Sequence, residues 1–335
     1  KSILSNPESS KYRKESLFKT ALLCFKLDNF SEAESNKKSY DKEFSLKDAE
    51  EAELSYEEAR FYYRQKNYQN AERIFSDIID DFESTEFAAW SAYWKGKILE
   101  AGDKFPDAQK SYLWVIEKFP NSEAAVEANL ALGNYYFRSE KFAEAVKYYR
   151  GISEKPIKDP ISYSAALDNI IEAYYQLQIY DAAIEYCRKY ISSFPNDKSI
   201  PDKKLKIGIL YQKLRYFDQA IVHYQSLISG ADAALEVEIR YYLGECYFSK
   251  AEYQQALLEF MKVPYISNKN TKVDWVPAAL YMSGQSYEKL NKYEQAITMY
   301  KQIIEKPNID NTYKAQAQKE IDRVNALILP QKDNK

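Results

Sequence analysis

Small and hydrophobic residues recur along the chain at spacings of three, four and seven, the pattern of one buried helix face. The stretch 124–149 shows the pattern clearly, with a polar break at 139–141. Its small and aromatic positions are Gly133, Tyr136, Phe142, Ala145 and Tyr149. We therefore predict two helices joined by a tight turn in this stretch.

The same pattern returns eight times, and an aromatic residue three positions before an alanine marks each copy. The pairs are Phe30/Ala33, Tyr68/Ala71, Phe105/Ala108, Phe142/Ala145, Tyr180/Ala183, Phe217/Ala220, Tyr253/Ala256 and Tyr293/Ala296. Successive alanines are 36 to 40 residues apart. A period of this length indicates a repeat array, in which each unit packs against its neighbours.

Other positions keep fixed offsets from these alanines. The position twelve before is small in seven copies, and the exception is Ile171. The small residues are Ala21, Ala59, Gly96, Gly133, Gly208, Gly244 and Gly284. A small residue on the first helix lets the second helix approach closely, and the aromatic residues around it fill the remaining space. Prolines eleven or twelve positions after four of the alanines end the second helix, because proline cannot continue a helix.

These offsets resemble the tetratricopeptide repeat over about residues 12–307. The resemblance implies an all-α fold, an α-solenoid of about eight helix-turn-helix repeats that forms a right-handed superhelix. We expect a flexible N-terminus at 1–11, a single array at 12–308, a C-terminal capping helix at 309–329 and a tail at 330–335.

Several local features refine this expectation. The polar stretch 35–42 predicts a frayed or atypical first repeat. Pro201 and Pro277 predict the starts of two helices, since proline fits the first turn. An insertion at 264–274 exposes Tyr265 and Ile266 either as a contact point or as a plain surface loop. The capping helix is predicted from an apolar stripe, formed by Ala317, Ile321, Val324 and Ile328.

The repeat period is near 37 residues, longer than the usual 34. Together with links such as Phe119-Pro120 and Phe194-Pro195, it resembles bacterial cell-envelope repeat proteins. Examples are the lipoprotein of the outer-membrane β-barrel assembly machine and the periplasmic coordinator of the Tol–Pal system. The resemblance implies a periplasmic place in a multiprotein assembly, with a cytoplasmic location as the alternative.

The charge balance and the hydropathy of the chain limit the classes of partner that we expect it to bind. The chain has 47 basic and 50 acidic residues, whereas a nucleic-acid-binding protein usually has a basic excess. We therefore predict protein or peptide partners and no nucleic acid. No apolar run reaches the length of a membrane span, and a place in a membrane-associated complex stays open.

The residue inventory disfavours an enzyme. His223 is the single histidine, so metal sites with several histidine ligands are excluded. The three cysteines form no Cys-x-x-Cys pair, and neither glycine-rich phosphate motif is present. We predict no catalytic residue, no metal and no cofactor.

The family resemblance places first-helix residues in a partner-binding groove. The predicted groove residues are Tyr56, Arg60, Arg64, Trp90, Tyr93, Lys97, Asn134, Arg138, Tyr241 and Tyr281. They predict a basic and aromatic surface in the first repeats and a more acidic one later, at Asp168, Glu172 and Glu245. The alternative is ordinary helix surface, with the tyrosines packing between repeats. The chaperone-binding carboxylate clamp of the family is disfavoured, because no repeat has lysine three before the small residue.

The sequence thus favours a non-enzymatic scaffold that binds a peptide or a partner domain on its curved surface. Two alternatives stay open: a cytosolic adaptor of the same fold, and a glycan-binding or cell-wall-associated module that uses tyrosines as stacking platforms. RNA binding by helical repeats is disfavoured by the negative net charge of −3.

Overall fold

A computed structural model describes residues 7–44, 48–156, 159–267, 274–307 and 309–332. The described residues form seventeen α-helices and no strand. The helices are α1 (Pro7–Lys26), α2 (Phe30–Phe44), α3 (Ala49–Arg64), α4 (Tyr68–Asp81), α5 (Glu86–Ala101), α6 (Phe105–Lys118), α7 (Glu123–Arg138), α8 (Phe142–Ser153), α9 (Pro160–Gln176), α10 (Tyr180–Ser193), α11 (Ile200–Lys213), α12 (Phe217–Ile228), α13 (Ala233–Ser249), α14 (Tyr253–Ile266), α15 (Val276–Lys289), α16 (Tyr293–Glu305) and α17 (Asn311–Lys332).

The first sixteen helices follow the order of the eight predicted helix pairs, and α17 follows the last pair. The predicted all-α repeat fold is therefore confirmed. The chain divides into two compact units, Lys1–Ala173 and Tyr174–Lys335, with the division inside α9. The predicted boundaries of the array and its flanking segments stay a prediction.

Four first helices begin with a side-chain cap at a regular interval. Asp48, Thr85, Ser122 and Asp159 are each 37 residues apart, and each accepts a hydrogen bond from the backbone N–H three residues later. Such a cap satisfies a donor that has no partner within the helix and contributes about 1 kcal/mol. The caps therefore fix where each of these repeats begins.

Each hairpin turns through one residue in the left-handed region, five positions before the repeat alanine. These residues are Asp28, Lys66, Asp103, Glu140, Gln178, Arg215, Ala251 and Asn291. The N–H of the next residue donates to the carbonyl five positions before it, as Lys141 does to Tyr136 at 2.9 Å. This bond closes the first helix in a Schellman-type end.

In five repeats, a glycine of the first helix packs on an aromatic ring of the second helix. Gly133 packs on the ring of Tyr149, which is 1% exposed. The Tyr149 hydroxyl passes beyond the glycine and donates to Oδ1 of Asn134 at 2.8 Å. The other pairs of glycine and ring are Gly96–Tyr112, Gly208–Tyr224, Gly244–Phe260 and Gly284–Tyr300.

The second unit ends with α17 packed against α16. Ala317, Ile321 and Val324 are buried in the same cluster as Tyr300 and Ile303. This is the stripe from which the capping helix was predicted.

Two features of the first repeat differ from the sequence prediction. The first helix begins at Pro7, before the predicted start at residue 12, because proline fits the first turn of a helix. The predicted fraying at 35–42 is wrong, since α2 continues to Phe44. Tyr40 is fully buried in this stretch, and Lys37 pairs with Asp41 at 3.0 Å.

The predicted insertion starts later than expected, because α14 includes Pro264 and ends at Ile266. A proline in the last turn of a helix removes a single hydrogen bond. Tyr265 is 86% exposed, whereas Ile266 packs against the second-unit core. Residues 268–273 of the predicted insertion lie outside the described residues.

Candidate partner-binding face

The first helices of successive repeats lie side by side in the first unit, since α3 contacts α5 and α5 contacts α7. Eight of the ten predicted groove residues belong to these helices. They are Tyr56, Arg60 and Arg64 on α3, Trp90, Tyr93 and Lys97 on α5, and Asn134 and Arg138 on α7. We call the surface that α3, α5 and α7 form the A face.

An arginine stacked on a tryptophan lies at the junction of α3 and α5. The guanidinium carbon of Arg60 is 3.9 Å from the ring centroid of Trp94, well within cation–π range. The Tyr56 hydroxyl accepts hydrogen bonds from Trp94 Nε1 at 3.0 Å and from Arg60 Nη1 at 3.3 Å. Burial raises the pKa of Tyr56, so this hydroxyl stays neutral. The three side chains therefore hold one another in place.

Two cations share the carboxylate of Glu100. Lys97 Nζ lies 3.1 Å from Oε2, and Arg138 Nη2 lies 2.9 Å from Oε1. The Tyr112 hydroxyl also donates to Oε2, at 3.0 Å. Burial acts to raise the pKa of Glu100, but Lys97, Tyr112 and Arg138 together hold it below its usual value. Glu100 is thus charged at neutral pH, and the cluster has one positive charge more than negative.

Two other predicted residues have partners in the structure. Arg64 Nη2 donates to Asp28 Oδ1 at 2.9 Å and to the Phe25 carbonyl at 2.6 Å, which joins α3 to the end of the first repeat's α1. Asn134 is exposed and accepts the hydroxyl of Tyr149. The charge of Arg64 is therefore balanced by Asp28.

The aromatic residues of α5 contact one another. The Tyr93 ring meets Trp90 and Trp94 edge-on, with centroids 5.7 and 5.2 Å apart. Tyr93 is 8% exposed, and its hydroxyl lies 3.5 Å from Oε2 of Glu127 on α7. Trp90 and Trp94 are half-buried. Tyr93 therefore packs between helices, while the tryptophans keep part of their surface accessible.

Tyr241 and Tyr281 lie in the second unit. The Tyr241 ring packs against Trp275 and Phe260, with centroids 4.9 and 5.8 Å apart. The Tyr281 hydroxyl donates to Oε1 of Glu320 on α17 at 2.9 Å. Both tyrosines thus join neighbouring helices within that unit.

The pairing of charges reduces the basic character that the sequence predicts for the first repeats. Arg64, Lys97 and Arg138 have carboxylate partners, whereas Arg60 has an aromatic one. Sequence reasoning missed Trp94, Glu100 and Glu127. A periodic signal for Glu100 existed, because Glu100, Gln212 and Glu288 each stand four after a repeat glycine and each accept a tyrosine hydroxyl.

Potential metal ligands do not cluster in the part of the chain that the structure describes. There, no group of three or more His, Cys, Asp or Glu side chains could hold a metal ion. His223 Nε2 is 2.7 Å from the Lys204 carbonyl, and burial lowers its pKa. Cys24, Cys187 and Cys246 are buried. Among the helices described, none combines the length and the apolar character needed to cross a membrane.

Family models agree with the hairpin geometry. A tetratricopeptide repeat model matches residues 165–197 and 278–308, and a model of a tetratricopeptide repeat-like domain matches residues 38–158. The chain is a tetratricopeptide repeat protein. The longest match, 38–158, includes α3 to α8 and therefore the whole A face.

Solved structures show the same tetratricopeptide fold. The C-terminal part of a TPR repeat-containing protein from Cytophaga hutchinsonii has a TM-score of 0.51 and 17% identity, covering 76% of this chain and 97% of that one. A chain in the structure of Naa15/Naa10 bound to HypK-THB has a TM-score of 0.59 and 12% identity. That match covers 89% of this chain and 43% of the other. No curated protein sequence matches the chain.

Proposed function

We propose that this tetratricopeptide repeat protein is a non-enzymatic scaffold that binds a peptide or a partner domain on the A face. The repeat fold supports a role in protein–protein interaction. The observation that supports the A face is the fixed cluster of Arg60, Trp94 and Tyr56, with Trp90 nearby. Tryptophan, tyrosine and arginine are the residue types that dominate binding energy at protein interfaces.

The matched family models describe repeats and name no enzyme. We therefore assign no reaction to the chain. Its contribution to an assembly is the geometry of its helices, which present side chains of successive repeats to a partner at fixed intervals.

We further propose a periplasmic place in a bacterial cell-envelope assembly. The long repeat period and the Phe119-Pro120 and Phe194-Pro195 links support this location. Fractionation of the native organism tests it: the protein is expected with periplasmic or membrane-associated material. Recovery with the cytosol would favour the cytosolic adaptor instead.

Affinity capture from native lysate tests the scaffold function. The wild-type chain is compared with Arg60→Glu/Arg138→Glu on the A face. A matched control is Arg73→Glu/Arg150→Glu, which makes the same charge change on second helices, where both arginines are exposed and paired with Asp77 and Glu154. Circular dichroism establishes that all three chains are folded.

We expect a protein captured by the wild type and by the control but lost from the A-face variant. A partner retained by all three would place the binding surface elsewhere on the molecule. If the wild type captures no protein, the scaffold proposal fails, and titration with peptidoglycan fragments becomes the next experiment.

A further inference from the structure

Arg60 has few hydrogen-bond partners for a half-buried arginine. A guanidinium carries five N–H donors. Within the described residues, Arg60 makes one hydrogen bond, the 3.3 Å contact from Nη1 to the Tyr56 hydroxyl. Its Nε is buried without an acceptor, and no described carboxylate pairs with it. Arg60 is therefore partly desolvated, and its Nη1 and Nη2 atoms keep N–H donors that no described group accepts.

Arg240, the other half-buried arginine among the described residues, has carboxylate partners. Arg240 pairs with Glu236 and Glu259, each at 2.8 Å. A buried charge without a counter-charge is costly, because the interior does not replace its hydration. The stack on Trp94 offsets part of that cost, but it neutralises no charge.

The surroundings of Arg60 fix its orientation. One face of the guanidinium is covered by the Trp94 ring, which packs against Tyr63 at 4.9 Å between centroids. Tyr68 lies 5.6 Å from Tyr63. When a guanidinium stacks on a ring through its face, the N–H donors along its edge remain for hydrogen bonds. A carboxylate binds at such an edge through two parallel hydrogen bonds.

A second cationic point lies further along the A face. Lys97 and Arg138 share the single carboxylate of Glu100, which leaves a positive charge there as well. The A face therefore offers two cationic points on neighbouring helices.

Negative charge is present on α3 before Arg60, where Glu53 and Glu57 lie seven and three positions earlier in the same helix. Lys26 lies 3.8 Å from Glu57 and is also near Glu53, so one lysine faces two carboxylates there. The sign of the charge therefore changes along the A face. An acidic segment would be attracted at Arg60 and beyond, and repelled at Glu53.

We propose that Arg60 receives the side-chain carboxylate of an acidic, extended segment of the protein partner, with a further acidic side chain near Lys97 and Arg138. This assignment rests on the proposed scaffold function and names the chemistry of its partner. An acidic run is favoured over a chain terminus, because a terminus supplies one carboxylate and the A face offers two cationic points.

The test uses the full chain at low salt, since screening weakens such contacts. Three peptides serve as probes: hexaglutamate with both ends blocked, hexaglutamine with both ends blocked, and hexaglutamine with a free C-terminal carboxylate. Binding is measured by calorimetry and located by the indole N–H resonance of Trp94. That signal is assigned with Trp94→Phe among the four tryptophans of the chain.

We expect blocked hexaglutamate to bind and to shift the Trp94 resonance. Arg60→Gln is expected to weaken binding about ten- to hundredfold, the loss of a charge-assisted hydrogen-bonded contact. Arg60→Lys keeps the charge without the planar stack and is expected to bind with intermediate affinity. Arg73→Gln removes an exposed arginine of α4 and is expected to bind like the wild type.

Equal binding of hexaglutamate to the wild type and Arg60→Gln would overturn the assignment. Binding of the free-terminus peptide alone would replace the acidic side chain with a chain terminus. If no peptide binds but the wild type still captures a protein from lysate, the acidic site fails and the scaffold function stands. If neither peptides nor lysate yield a ligand, both fail.

Discussion

Each glycine that packs on a ring of the following helix leaves no room for a methyl group. A Cβ atom built at Gly133 would lie 2.6 Å from Cδ1 and 2.8 Å from Cζ of Tyr149. The ring has little freedom to move away, because Tyr149 is buried and its hydroxyl is bonded to Asn134. The close approach of α7 and α8 therefore depends on the absence of a Cβ atom in Gly133.

Gly133→Ala is expected to destabilise the chain by about 1–3 kcal/mol, the usual cost of overpacking a core. The gain of about 1 kcal/mol in helix propensity offsets part of this cost. Urea unfolding followed by circular dichroism measures the change. Gly230→Ala is the control, because nothing lies within 4 Å of a Cβ built there. A Gly133→Ala chain as stable as the wild type would show that the helices can separate cheaply.

At the scale of the element, none of the eight turns between the two helices of a repeat uses glycine at its left-handed position. All eight residues at the left-handed position carry a side chain, and their φ angles lie between 57° and 62°. Left-handed backbone costs an L-residue roughly 1 kcal/mol, and asparagine tolerates it better than alanine. The sequence places the turns correctly, but it does not reveal this conformation, since no glycine occupies the left-handed position.

Ala251→Gly is expected to stabilise the hairpin of α13 and α14 by roughly 0.5–1 kcal/mol. Ala251 is exposed at φ 62°, so glycine relieves strain and removes no contact from the core. The thermal midpoint should rise. Asn291→Gly, the same position in the next repeat, is expected to gain less because asparagine already suits this region. An equal gain at both positions, or a loss at Ala251, would argue against strain at the turn.

At the scale of the whole molecule, the periodic positions predict the fold because the same packing is repeated in each hairpin. The repeat alanines from Ala33 to Ala296 recur every 36 to 40 residues, so a weak pattern in one repeat can be recognised from the others. The local departures are not predictable in this way. The helix through Pro264 and the continuous α2 depend on single contacts, such as the burial of Tyr40.

The candidate face was predictable in position but not in charge. Tyr56, Arg60, Lys97 and Arg138 come from periodic first-helix positions, and α3, α5 and α7 place them on neighbouring helices. Their pairing is set by side chains about 36 to 38 positions apart, such as Arg64 with Asp28 and Arg138 with Glu100. A count of basic residues cannot show which of them are paired with a carboxylate. Only the structure therefore shows that Arg60 differs from Arg64, Lys97 and Arg138 in this respect.

The repeat architecture predicts that removal of a terminal helix destabilises only the neighbouring repeats. α17 buries Ile321 and Val324 against the last hairpin, at about 2 kcal/mol for each side chain. Its removal exposes Ile303 and Tyr300, which lie in the same cluster. Each repeat of a solenoid is stabilised mainly by its immediate neighbours, so distant repeats lose nothing directly.

A chain ending at residue 310 is therefore expected to lose hydrogen-exchange protection in α15 and α16, by tenfold or more, and to keep it in α3 to α6. Exchange measured by mass spectrometry resolves these segments. A chain ending at residue 328 keeps Ile321 and Val324 and is the control. Unchanged protection in α16 would show that α17 is not needed as a cap. An equal loss in α3 to α6 would show that the chain unfolds as one cooperative body, against the nearest-neighbour energetics of a repeat protein.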